Sequence, residues 1–219
     1  MNSPIISQWG RLGISFYNQS IKEVDPERLI VATIPLLKND RKLLSLAVSW
    51  ISAYSDLLHV ERLKQLAKKT ISAEEFPWFQ AIGNKIAKID ARWRILGKTQ
   101  EEKLVISPWD ELQAHRGGLD PDFEEAGIRV AKFATDVEKK YLTRSKILEM
   151  NPIFSLRTLF GSNWRADILW IKTQQPTLSS YAIAKELGCN TETVYRISKQ
   201  IEQLDAGRVK RAISSLIGK

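Results

Sequence analysis

Asn190, Thr191, Glu192, Thr193, Tyr195, Arg196 and Lys199 stand close together near the end of the chain. They supply a carboxamide, three hydroxyls, a carboxylate, a guanidinium and an ammonium. That set donates and accepts hydrogen bonds but holds no paired nucleophile and base, so its chemistry is recognition rather than turnover. Residue types suited to turnover do not assemble elsewhere. His59 and His115 lie far apart, without cysteine or acidic ligands at metal spacing. His59 falls at an expected helix start, where solvation accounts for it. His115, Arg116, Gly117 and Gly118 read as a turn, with an anion-binding loop as the sharper alternative. Asp120, Asp122, Glu124 and Glu125 read as charges that complement a helix N-terminus, ahead of a two-metal site. No phosphate loop, dinucleotide fingerprint or nucleophile elbow is present. The expectation is therefore no enzyme, no cofactor and no metal. Cys189, the single cysteine, excludes an intrachain disulfide and reads as a packing residue ahead of a redox sensor.

The polar cluster needs elements to hold it, and residues 179–204 have the spacing of a helix-turn-helix. Two helices that cross closely need a small residue at the crossing, which Ala184 provides. The turn needs a residue that accepts positive φ, and Gly188 provides that. Ile183, Leu187, Cys189, Val194 and Ile197 fall where the wedge between the helices must be filled, and Ile201 and Leu204 extend the stripe. Asn190 or Thr191 can cap the second helix.

On these residues the segment resembles the helix-turn-helix superfamily of prokaryotic transcription regulators, over roughly residues 156–211. Leu156 to Trp170 supplies the additional first helix of a winged-helix variant. Leu204 to Arg211 resembles the step from the recognition helix into a wing. The resemblance implies that the second helix enters the major groove of DNA. It implies a DNA-facing set of Asn190, Thr191, Glu192, Thr193, Tyr195, Arg196 and Lys199, with Arg208, Lys210 and Arg211 adding backbone or minor-groove contacts. Arg196 is suited to guanine O6 and N7, Asn190 to adenine and Glu192 to cytosine N4. Thr191, Thr193, Tyr195 and Lys199 are better suited to phosphates.

The charge agrees with a polyanionic partner. The net charge is +8 and the pI about 9.5. Residues 151–219 hold 10 Lys and Arg against 5 Asp and Glu, so the last third is the more basic part per residue. Hydrophobic content of 43% excludes wholesale disorder. The N-terminus lacks a signal-peptide pattern, and the most apolar stretch, residues 43–54, is too short to span a bilayer. The expected location is the cytoplasm, with no membrane association.

The periodicity predicts a mainly α protein. Asp25-Pro26-Glu27 starts a helix to about Leu37, and Asp40 caps a second that ends near Tyr54. A third runs from Val60 to Lys69. Ser72 and Glu75 form a capping box before a helix over 76–88. Residues 97–121 read as a loop with short elements, followed by a helix from Asp122 to about Leu142. Asn151-Pro152 marks a break, with helices over 153–160 and 164–173 beyond it. Most of the seven tryptophans read as core. Two basic clusters, Arg62, Lys64, Lys68 and Lys69, then Lys85, Lys88, Arg92 and Arg94, read as solvated faces or as an extension of a DNA footprint.

Residues 1–150 are expected to form a helical domain for partner binding or dimerisation, and 151–219 the DNA-binding domain. The functional expectation is a regulator that binds double-stranded DNA, with a homodimer or a protein partner served by residues 1–150. The alternative is an antitoxin-like or accessory interaction protein of a defence or mobile-element complex.

Overall fold

A computed structural model describes residues 4–14, 24–97, 104–105, 108–133, 135 and 141–203, and the chain is mainly helical. Among the described residues, none of the helices is long and apolar enough to cross a membrane. The chain divides into two compact units, residues 1–55 with 66–142 and residues 56–65 with 143–219. A ten-residue excursion, 56–65, groups with the C-terminal unit.

In the first unit, α1 (Pro4–Arg11) packs on α2 (Pro26–Leu37), and α2 on α3 (Arg41–Tyr54). Asp25 and Asp40 cap their helices as expected, accepting the N–H groups of Arg28 at 3.1 Å and Leu43 at 2.9 Å. Helix α4 (Val60–Thr70) follows, its first residues belonging to the second unit. Ser72 and Glu75 do close on each other, but as a turn preceding α5 (Phe76–Ala87), with Ser72 Oγ donating to Glu75 at 2.9 Å. The core holds Trp9, Trp50, Trp78 and Trp93, as their apolar surroundings predict. Trp9 donates to the Thr33 hydroxyl at 2.9 Å and Trp50 to the Leu12 carbonyl at 2.7 Å, so these two buried indole N–H groups are satisfied.

Residues 97–142 differ from the expectation in two ways. Pro108–Gly117 is a ten-residue helix, α6, where a loop was expected. The helix expected to run from 122 to 142 ends after five residues, as α7 (Pro121–Glu125). Gly127 at φ 83° turns the chain into the left-handed region and stops it. The backbone then extends. A two-residue strand, β1 (Leu104–Val105), pairs in parallel with β2 (Ile128–Arg129), and Asp120 N–H donates to the Val130 carbonyl at 2.8 Å. Ile128 and Val130 are buried on alternate positions, so a strand-like burial pattern was read as helical spacing.

The second unit is built from α8 (Arg144–Met150), α9 (Pro152–Phe160), α10 (Trp164–Gln174), α11 (Ser180–Leu187) and α12 (Thr191–Gln203). Asn163 caps α10 and Ser179 caps α11, each through a side chain that accepts a backbone N–H. Helices α8, α9 and α10 pack in sequence. Helices α10, α11 and α12 enclose one apolar cluster of Ile168, Ile171, Ile183, Ala184, Leu187, Val194 and Ile197.

Candidate functional site

Helix α11 ends because Gly188 adopts φ 82°, which lets the N–H groups of Gly188 and Cys189 both donate to the Ala184 carbonyl, at 2.8 and 3.0 Å. Three residues later α12 begins. Asn190 is its cap: its side-chain oxygen accepts the Glu192 N–H at 2.9 Å. Ala184, 3% exposed, stands in the cluster where α11 meets α12. Ile183, Leu187, Val194 and Ile197 are buried, and Cys189 is half-buried against the same cluster.

At about 100° per residue, Val194, Ile197, Ser198 and Ile201 form one stripe of α12, and Glu192, Arg196, Lys199 and Gln203 the opposite one. Burial follows that division. Val194, Ile197 and Ser198 are buried, whereas Asn190, Thr191, Glu192, Tyr195, Arg196 and Lys199 are exposed and Thr193 is half-buried. The side chains of Glu192, Tyr195, Arg196 and Lys199 make no hydrogen bond or ion pair with any described residue. Several other cations of this unit are engaged, Arg144 with Asp56, Lys146 with Glu149, Arg165 with Gln200 and Lys172 with Glu202. Glu192, Arg196 and Lys199 thus share one exposed stripe of α12, with Thr193 and Tyr195 on its two flanks. Arg208, Lys210 and Arg211, with the expected wing over 204–211, lie outside the described residues.

Tyr181 was not expected at the site. It lies at the start of α11 and is 69% exposed, and Tyr195 on α12 is 62% exposed. A tyrosine in the first turn of the first helix is a sequence signal that could have found it.

The same unit holds a polar centre that the sequence did not suggest. His59, expected to be solvated, is 2% exposed. Its Nδ1 lies 2.7 Å from Asp167 Oδ2 on α10, and its ring meets Trp164 edge to face with centroids 4.3 Å apart. Arg157 on α9 donates from Nε and Nη2 to Asp167 Oδ1, at 3.0 and 2.8 Å, and from Nη1 to the Leu57 carbonyl at 3.0 Å. Burial pushes the Asp167 carboxyl up. The Arg157 charge, the His59 hydrogen bond and the nearby Arg62 charge outweigh that, and hold it well below the usual carboxylate range. An ionised carboxylate only accepts, so His59 Nδ1 carries the proton. A histidine paired with a carboxylate has the composition of a general-base dyad, but both side chains are sealed from solvent, so here the pair is structural.

The other candidates are also accounted for. Asp120 and Asp122 are buried, with Lys85 Nζ 2.7 Å from Asp120 and 3.3 Å from Asp122, and Lys88 paired to Asp122. Among the described residues, no group of three or more acids, histidines or cysteines is placed to hold a metal. Of the two basic clusters, Arg62 is buried, and Lys85, Lys88 and Arg92 are in ion pairs, so neither is simply a solvated face. Lys68 and Lys69 are exposed. Comparison with known family models, curated proteins and solved structures gives no match, so the site is read from its own geometry.

Proposed function

We propose that the protein binds double-stranded DNA as a transcriptional regulator, with α11 and α12 serving as a helix-turn-helix and α12 as the helix that enters the major groove. The observation that carries this reading is the outward face of α12. Glu192, Arg196 and Lys199 are exposed there opposite the stripe that packs on α10 and α11, Tyr195 is exposed on its flank, and none of the four has a partner among the described residues. A helix whose back is fixed by an apolar cluster and whose front presents donors and acceptors suits base edges and phosphates. The net charge of +8 supports a polyanionic partner.

Selection of the full-length protein on randomised duplex DNA, at near-physiological salt, tests the reading. An enriched motif is the expected result, and absence of binding would refute it. The second reading is a protein-interaction module, and the exposure of Tyr181 and Tyr195 favours it, because exposed tyrosines are enriched at protein interfaces. A stoichiometric protein partner without any preferred duplex would select that reading.

A further inference from the structure

We infer that the duplex read by α12 carries neighbouring G·C base pairs, with Arg196 on a guanine and Glu192 on a cytosine. The inference rests on the duplex-DNA reading above and adds its sequence class. Three observations lead to it. First, Asn190 is committed to the helix cap. Pairing with adenine needs its carboxamide oxygen to accept from N6 while its nitrogen donates to N7, and that oxygen already accepts the Glu192 N–H as the helix cap. The adenine-suited side chain next to Glu192 is thus held by the fold, and Gln203, the other carboxamide of the stripe, stands at the far end of α12. Second, Glu192 and Arg196 are exposed, uncommitted to any described residue, and four positions apart on the same stripe. Four residues advance a helix by about 6 Å, which is within about two base-pair steps. Third, their chemistry is complementary to one base pair type. Arg196 offers a planar fork to guanine O6 and N7, both acceptors. Glu192 only accepts, and the major-groove donors are cytosine N4 and adenine N6. The adenine amino group lies between two acceptors, its own N7 and the O4 of the paired thymine, which repel a carboxylate, whereas the cytosine amino group has an acceptor on one side only, the O6 of the paired guanine. Thymine O4 repels a carboxylate as well. Glu192 therefore acts by attraction at cytosine and by exclusion elsewhere, since an acid near phosphates weakens every duplex that does not present a donor to it.

The test is selection on randomised duplex DNA with the full-length wild type, Glu192→Gln and Glu192→Ala, followed by titration on matched duplexes that differ at single positions. Glu192 is exposed, so both variants should keep the wild-type melting profile. The wild type should enrich a motif with its strongest positions at neighbouring G·C pairs, and should prefer cytosine over the other bases at one of them by roughly ten- to a hundredfold. Both variants should lose that preference, bind random duplex more tightly than the wild type, and keep the guanine preference. A wild-type motif dominated by A·T pairs, or a cytosine preference that survives in both variants, would overturn the inference while leaving duplex reading intact. Binding without any motif, or no binding, would overturn both.

Discussion

His59 Nδ1 donates to Asp167 Oδ2 over 2.7 Å, although the two residues are 108 positions apart in the chain. The bond ties the 56–65 excursion to α10, the helix on which α11 and α12 are stacked. Arg157 completes the arrangement through two hydrogen bonds to the same carboxylate. The platform of the candidate recognition helix is thus held by a buried carboxylate that both His59 and Arg157 hydrogen-bond.

Removing that charge should be costly. Asp167→Asn leaves the buried Arg157 guanidinium without a counter-charge, and the expected loss is about 3–5 kcal/mol at neutral pH. The effect depends on pH with a definite sign. The folded Asp167 carboxyl titrates below its unfolded value of about 4, so its contribution is full above that pH and is lost as pH falls. Urea unfolding followed by circular dichroism should show the gap between wild type and Asp167→Asn narrowing by about 1 kcal/mol or more between pH 7 and pH 3. A gap that is constant over this range would contradict the ionised pair.

Two glycines in the second unit should respond unequally to alanine. Gly188 at φ 82° and ψ 18° is left-handed helical, which other residues visit at about 1–2 kcal/mol. Gly161 at φ 83° and ψ 153° lies in a region almost restricted to glycine, and a Cβ there would stand 2.8 Å from Asn163 Nδ2. That Asn163 side chain is held at both ends, donating to the Phe160 carbonyl and accepting from Arg165. Gly161→Ala should therefore lower the thermal midpoint more than Gly188→Ala, and Gly188→Asn should be milder than either. The reverse order would show that the turn after α11 is the tighter constraint.

In the first unit, Thr33 is the acceptor for the buried Trp9 indole N–H and itself donates to the Leu29 carbonyl at 2.7 Å. Thr33→Val keeps the shape and strands the indole donor, which should cost about 1–3 kcal/mol. Thr33→Ser retains the hydroxyl and should lose less. Equal destabilisation by the two in denaturant titrations would assign the effect to the lost methyl group instead.

On DNA, Arg196→Ala should weaken the selected site by about 1–3 kcal/mol and random duplex little, whereas Lys199→Ala should weaken both alike and reduce the salt slope by about 1. Anisotropy titrations at several salt concentrations separate the two. Equal losses for Arg196→Ala on specific and random duplex would remove its base-reading role.

The parts legible in the sequence are those whose causes are local. Asp25 and Asp40 each cap a helix that starts beside them, and Gly188 ends one at its own position. The outward face of α12 follows from the spacing of Val194 and Ile197. What escaped has distant causes. The stop at Gly127 gains its meaning from the pairing of Ile128 with Leu104, and a glycine alone does not announce a strand partner. The burial of His59 depends on Asp167 and Arg157, neither of which is near it in sequence. The only trace was that both lie among residues that the fold buries, Asp167 between Ala166 and Ile168 and Arg157 beside Leu156. The role of Asn190 was half legible. Its position as a cap was evident, but the choice between capping and base pairing required the hydrogen bond to Glu192.

Duplex DNA is expected to land on the open face of α12. Hydrogen exchange of the full-length protein, measured with and without the selected duplex, tests it most directly. The account predicts protection concentrated in residues 179–203, with the largest change at the start of α12 and none in the core helices α2 and α3. Protection confined to residues 1–142, or a duplex that binds without protecting α12, would contradict it.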